Sequence, residues 1–146
     1  MHIPDGVTHI GDDAFYGCRN LPSMHIPDNV KTLGEYAFAS CVINGELYLP
    51  TSLAVIPDSL CSQSTIGKLI VGENVTSISG YAFYLLEVNI VVMKSITPPT
   101  VSLADKNHLF STTSIYVPDE SVESYKTATW WSQYADKIKP LSEYTE

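Results

Sequence analysis

The sequence is poor in positive charge and lacks any long apolar run, and both shortages narrow its function before a motif is read. Eight Lys and Arg stand against sixteen Asp and Glu, a formal charge of −8 over 146 residues. Such a surface repels the phosphates of nucleic acid and of anionic lipid, and no basic stripe offsets it, so nucleic acid is not an expected partner. The longest apolar stretches, such as 90–93, cover a few residues where a bilayer needs about 20, and no membrane span is expected. Cysteine is scarce: Cys18, Cys41 and Cys61 are too few and too widely spaced for a disulfide scaffold or a zinc site. Also missing are Gly-x-Ser-x-Gly, a phosphate-cradling glycine loop and His-Glu-x-x-His. The chain is therefore read as a non-enzyme, with no catalytic residue, no metal ligand and no cofactor. Its first residues, Met1-His2-Ile3-Pro4, show neither the basic start nor the apolar stretch of a secretory leader and begin inside a repeat, as a piece of a longer protein would.

What is present is internal similarity. Ile3-Pro4-Asp5-Gly6-Val7 through Ile10-Gly11 returns as Ile26-Pro27-Asp28-Asn29-Val30 through Leu33-Gly34, again from Leu49 to Pro57, and a fourth time from Val71 to Ser79, in steps of 23, 23 and 22 residues. Ala14-Phe15 likewise returns as Ala37-Phe38 and Ala82-Phe83, with Leu60-Cys61 in the third copy. A period of this length marks a solenoid, whose single turns cannot bury their apolar faces alone. Each unit reads as a short strand, a proline turn, a second extended piece and a compact turn. Stacking places Ile3, Ile26, Leu49 and Val71 in one column and Ile10, Leu33, Ile56 and Ile78 in another, about 4.8 Å apart per step if strands pair in parallel. The prediction is one domain, a right-handed α/β-type solenoid of short parallel strands. Its turns fall at about 1–23, 24–46, 47–68 and 69–87, with a degraded turn over 88–113 that breaks at Pro98-Pro99 and in which Phe110 restores the aromatic.

From Ser114 the pattern changes, and 114–146 is read as a helical cap. Ile115 and Val117 form a last strand, Pro118 and Asp119 turn it, and a helix is expected from Glu120 with Asp119 as its N-cap. Val122, Tyr125, Ala128, Trp131, Tyr134 and Ile138 recur mostly three or four apart, an apolar stripe suited to cover the open end of the stack. A monomer is expected, with end-to-end contacts possible at the first turn.

The residues Ile-Pro-Asp-x-Val-x-x-Ile-Gly-x-x-Ala-Phe-x-x-Cys, standing here as Ile3 to Cys18 and, with Leu33 for the second isoleucine, as Ile26 to Cys41, resemble the BspA-like leucine-rich repeats of bacterial surface proteins. Thr97-Pro98-Pro99-Thr100, Ile115-Tyr116-Val117-Pro118 and Trp131-Ser132-Gln133-Tyr134 resemble the tails of such proteins. The third repeat departs from the pattern, with Pro57 for the glycine and Cys61 for the phenylalanine. The resemblance implies a leucine-rich-repeat fold, a secreted or cell-surface location and contact with a protein or glycan ligand; it carries over no catalytic or metal residue.

Several columns are candidate sites. His2, His25, Tyr48 and Ile70 share a strand position, which supplies either a paired-imidazole metal site or a partly apolar contact strip. Cys18 and Cys41 are equivalent, open to a disulfide or to burial as small reduced hydrophobes. Asp5, Asp28 and Glu73 form one acidic ladder and Asp12, Glu35 and Asp58 another, readable as calcium ligands or as solvated turns. Tyr36 and Tyr81 share a column with Asp13 and Ser59, and Tyr16 and Tyr84 share one with Ala39 and Ser62, either as a recognition surface or as packing over the corners. The partner-binding residues predicted are His2, His25, Tyr48, Ile70, Tyr36 and Tyr81. Three functions compete: a protein-interaction or adhesion module, a spacer that caps a longer solenoid, and a glycan-binding module. A hydrolase would need a cleft.

Overall fold

The computed structural model describes residues 1–102 and 110–145; residues 103–109, within the repeat expected over 88–113, lie outside the described residues. Among these, the strands are β1 (His9–Ile10), β2 (Met24–His25), β3 (Thr32–Leu33), β4 (Val42–Tyr48), β5 (Val55–Ile56), β6 (Thr65–Val71), β7 (Ser77–Ile78), β8 (Glu87–Met93), β9 (Thr100–Val101), β10 (Ser114–Val117) and β11 (Ile138–Pro140). All of them pair in parallel, in a six-stranded sheet ordered β11-β10-β8-β6-β4-β2, a three-stranded sheet β5-β7-β9 and a two-stranded sheet β1-β3. The architecture is solenoid-like, with equivalent residues of successive repeats in register.

The apolar columns are real. His25 pairs with Tyr48, Tyr48 with Ile70, Ile70 with Val92 and Val71 with Met93, so Ile26, Leu49, Val71 and Met93 lie one over another, each buried. Leu33, Ile56 and Ile78 fill the second column. Proline sets where three strands of the six-stranded sheet stop. Pro27, Pro50 and Pro118 follow β2, β4 and β10 with one residue or none between, and having no N–H they end the ladder. A turn then closes on the proline carbonyl, from Val30 N–H to Pro27 O at 3.0 Å and from Leu53 N–H to Pro50 O at 3.1 Å.

Proline also explains why the second ladder is split. The residue after the buried aliphatic donates to the preceding repeat: Gly34 N–H to Ile10 O at 2.8 Å, Ser79 N–H to Ile56 O at 3.0 Å and Ser102 N–H to Ile78 O at 3.1 Å. In the third repeat that donor is Pro57. Leu33 O receives no amide from it, and β3 and β5 do not pair. The departure of the third repeat from the family pattern thus has a structural consequence at one junction.

The compact turns are held by left-handed backbone, in two columns: Asp13, Tyr36 and Ser59 at φ 56, 58 and 55, and Gly17, Ser40, Gln63 and Leu85 at φ 74, 54, 56 and 53. Only one of these residues is glycine, so each of the others holds a conformation that L residues disfavour. Inter-repeat bonds over-determine it: Phe15 N–H donates to Ala37 O, Phe38 N–H to Leu60 O and Cys61 N–H to Ala82 O, at 2.8, 2.9 and 2.8 Å.

Cys18, Cys41 and Cys61 are free thiols. Cys41 and its repeat equivalent Ser64 do the same work: the Cys41 thiol donates to Phe15 O at 3.0 Å and the Ser64 hydroxyl to Phe38 O at 2.6 Å. Ser64 Oγ also accepts from Cys41 N–H at 3.0 Å. Both residues are buried, so Ser64→Ala strands a buried donor and a buried acceptor and is expected to cost about 2 kcal/mol in urea unfolding. Cys41→Ser retains the bond to Phe15 O and is expected to cost less than about 1 kcal/mol; equal losses in the two variants would refute the equivalence.

The cap differs from expectation. Asp119–Ser121 is a 3-10 turn, α1 (Val122–Thr127) is only 6 residues long, a second 3-10 segment covers Trp131–Lys137, and Ile138 begins β11. No single helix runs from Glu120. The chain turns extended at Ala128 (ψ 145) and left-handed at Trp130 (φ 73), after Thr127 bends its hydroxyl back onto Glu123 O at 2.8 Å. Nor is Asp119 a helix cap; its carboxylate accepts from Ser142 N–H at 3.0 Å, which holds its pKa below the ordinary aspartate value.

The inward residues of the stripe are nevertheless the ones read from sequence: Tyr125, Trp131, Tyr134 and Ile138 are buried. Three of them pin the stack by hydrogen bonds to main-chain atoms. Tyr125 Oη donates to Ser95 O at 2.8 Å, Trp131 Nε1 to Pro99 O at 2.9 Å, and Tyr134 Oη to Phe110 O at 3.1 Å. Burial raises both tyrosine pKa values, that of Tyr134 to about 12, so the phenols stay protonated donors. Phe110 packs edge-on against Phe83 at 5.8 Å and continues the aromatic column.

Candidate binding surfaces

The strand-face strip does not run as its column implies. His2 and His25 are exposed and line a shallow depression of about 320 Å³ with Asp5 and Asp28. Tyr48 is half-buried, and its ring stacks on His25 at 4.6 Å and 5°. Ile70 is buried, which corrects its assignment to an exposed contact surface. The cause is a cover over the outer face of the six-stranded sheet. Ile70 and Val92 are buried yet stand outside the core cluster. Lys94 reaches back over β6 to donate to Tyr48 Oη at 2.8 Å, its ammonium 5.0 Å from the ring centre. On the other side of the row, Tyr144 packs edge-on against Tyr116 at 5.0 Å and receives a hydrogen bond from Lys68, which also pairs with Glu46. The apolar part of the strip is consumed internally, because long lysine stems and phenol rings bury it better than water does.

The acidic ladders are also used by the backbone. Asp28 Oδ1 accepts from Thr51 N–H at 3.0 Å, Asp12 Oδ1 from Glu35 N–H at 2.9 Å and Asp58 Oδ1 from Tyr81 N–H at 3.3 Å. The hydrogen bond from Thr51 holds the Asp28 pKa below its ordinary value. Each of these three carboxylates tethers the next repeat, a role invisible to a reader who counts only charges. Among the described residues no three His, Cys, Asp or Glu gather to hold a metal ion.

The corner tyrosines are brought together. Tyr16, Tyr36, Tyr81 and Tyr84 border one groove of about 360 Å³, with Ser59, Ser62 and Asp58 among its other lining residues. Tyr16, Tyr36 and Tyr81 are exposed, while Ser59 and Ser62 are buried at the bottom. The groove exists because the third repeat places serine in both columns where the fourth places tyrosine. Tyr81 and Tyr84 meet edge-to-face at 5.9 Å and 76°, and the left-handed backbone at Tyr36 and Ser59 sets how those two side chains leave the main chain.

A second groove of about 420 Å³ opens where β4, β6 and β8 begin, lined by Asn44, Thr65, Glu87, Asn89 and Thr113 among others. Its register slips between Ile43 and Glu46, at Gly45 and Gly67, where a Cβ on Gly67 would stand 2.7 Å from Gly45 O. A further hollow of about 470 Å³ lies under 95–100, beside the exposed Ile96. Sequence reasoning missed both, since neither follows a column of like residues.

Among curated proteins none matches the chain. The family described as BspA type leucine rich repeat region matches residues 1–113, in 6 copies.

Proposed function

Because the chain belongs to the BspA-type leucine-rich-repeat family, we propose that it is an extracellular interaction and adhesion module of a bacterial surface protein, and that it holds a protein partner in the tyrosine-lined corner groove. The observation that carries this reading is the convergence of Tyr16, Tyr36, Tyr81 and Tyr84 on one concave surface. Tyrosine gives a large contact area with few rotatable bonds and a hydroxyl that tolerates water before binding, which is why it concentrates at recognition surfaces. The strand-face histidines and Tyr48 offer a smaller contact at the other side of the repeat. Recognition rather than catalysis fits the thiols as well: burial pushes the pKa values of Cys41 and Cys61 up, away from the nucleophilic thiolate.

The test is a panel of purified matrix and cell-surface proteins, together with immobilised glycans, titrated with the chain and with its Tyr36→Ala/Tyr81→Ala double variant. Both phenols are exposed, so circular dichroism should be unchanged. At least one protein should bind, and the double variant should weaken that binding about tenfold or more. Binding untouched by the variant would remove the groove from the reading. Binding to glycans alone would move the site to the amide- and hydroxyl-lined groove at β4, β6 and β8. Silence across the panel would leave the chain as a spacer.

A further inference from the structure

We propose that the corner groove recognises an arginine side chain presented by its protein partner, an inference that rests on the interaction reading above and specifies its chemistry. Charge argues first. The four corner segments 11–17, 34–40, 57–63 and 79–85 contain Asp12, Asp13, Glu35 and Asp58 and not one Lys or Arg. This corner is therefore negative beyond the average of an already acidic chain, and a cation meets no repulsion in approaching it.

Shape argues next. Tyr36 and Tyr81 occupy equivalent positions two repeats apart, about 9.6 Å along the stack at about 4.8 Å per step, with only Ser59 between them. A planar group lying about 3.5–4.0 Å from one phenol face therefore has room between the two positions. A cation over a tyrosine face is attracted by the ring quadrupole. Asp58 lines the same groove. Its Oδ1 accepts from Tyr81 N–H and its Oδ2 from Ser59 Oγ, both at the long distance of 3.3 Å. A carboxylate has about four lone-pair positions, so Asp58 retains acceptors for an incoming donor.

Arginine satisfies these features together and lysine does not. Its guanidinium is flat enough to stack on a phenol face, it pairs with a carboxylate through two parallel N–H bonds, and it gives up its water more readily than an ammonium. The hydroxyls of Ser59 and Ser62 at the bottom can accept the remaining N–H groups. A neutral sugar would leave the carboxylates unanswered, and a quaternary ammonium would have no N–H for Asp58.

The experiment titrates the whole chain with a short peptide alternating arginine and glycine, and with counterparts carrying citrulline, lysine or glutamate in place of arginine; choline is a fifth ligand. The arginine peptide should bind saturably and at least about fivefold more tightly than any of the others. Tyr36→Ala and Asp58→Asn should each weaken it about fivefold. Asp5→Asn, which removes the same charge on a proline turn outside this groove, should leave it unchanged. Citrulline or lysine peptide binding as tightly as arginine would overturn the proposal. So would a loss from Asp5→Asn as large as that from Asp58→Asn, which would mean diffuse attraction to an acidic protein. The two readings fail separately. A panel protein that needs Tyr36 and Tyr81 but is not displaced by the arginine peptide would sink arginine recognition alone; arginine binding at the groove with a silent panel would sink the adhesion reading alone.

Discussion

Replacing Trp131 by alanine is expected to destabilise the protein by about 4 kcal/mol and to lower its melting temperature by about 15 °C. Trp131 is the largest fully buried side chain among the described residues, and it is tied into both the cap and the stack. Its indole is 1 % exposed, stands edge-on to Tyr125 at 5.2 Å and to Trp130 at 5.0 Å, and donates to Pro99 O at 2.9 Å. Alanine removes the largest buried side chain, leaves a cavity beside Tyr125 and strands a buried carbonyl, and these losses add. Trp131→Phe separates them. It keeps most of the apolar area and loses the N–H, so about 1 to 2 kcal/mol should be its share.

The loss should also be directional. In a stack each repeat touches only its neighbours, and the repeat nearest the cap depends most on it. Amide exchange in Trp131→Ala should therefore accelerate first in β10 and β11 and in the 95–99 segment, where Tyr125 and Trp131 hold carbonyls, and later in β4. Uniform acceleration, or a melting shift below about 4 °C, would show that the C-terminal segment is an ornament on a stack already stable without it.

The depth of Trp131 could be read from sequence, whereas its element could not. Residues three apart are compatible both with an α-helix at 3.6 residues per turn and with a 3-10 helix at 3.0, so the stripe from Val122 to Ile138 identified the buried face while concealing the break at 128–130. A signal for the break was present in Ile138-Lys139-Pro140. That triplet repeats the apolar-x-apolar-proline ending of Leu47-Tyr48-Leu49-Pro50 in shortened form, and β11 is the strand it makes. The repeat itself was legible because two apolar columns recurring every 22 or 23 residues leave no other way to bury Ile26, Leu49 and Val71 together. The ladder break at Pro57 was legible as a departure, since a missing N–H is written in the residue type.

The surface was legible only as columns. Equal repeat position put Tyr36 over Tyr81 and Tyr48 beside Ile70, but it could not show that Lys94 crosses β6 to cover one of these pairs while Ser59 and Ser62 hollow out a groove beside the other. Such outcomes depend on side chains from distant repeats, Lys68 and Tyr144 being 76 positions apart. The left-handed corners were hidden too, because Asp13, Tyr36, Ser59 and Leu85 advertise nothing of a conformation usually given to glycine.

Glycine at one repeat position supplies the second large prediction. Gly11 and Gly34 are equivalent in sequence, and neither is left-handed. A Cβ on Gly34 would collide with the backbone of Gly11 and Asp12, whereas one on Gly11 meets nothing within 4 Å. The collision is with main chain held by Gly34 N–H on Ile10 O and by Glu35 N–H on Asp12 Oδ1, at 2.8 and 2.9 Å, so it cannot be relieved by turning a side chain. Gly34→Ala is therefore expected to cost about 3 kcal/mol as the first and second repeats are forced apart. Gly11→Ala should be neutral or stabilising by up to about 1 kcal/mol, since it only restricts the unfolded chain. Urea unfolding of the two variants measures the difference, and similar values would mean that close approach between repeats is not what this position demands. The same separation would carry Glu35 and Tyr36 away from Asp12 and Tyr16. Gly34→Ala should thus weaken partner binding at the corner even where the protein remains folded, while Gly11→Ala leaves it intact; the spacing that buries the aliphatic columns also sets the distance between the phenols.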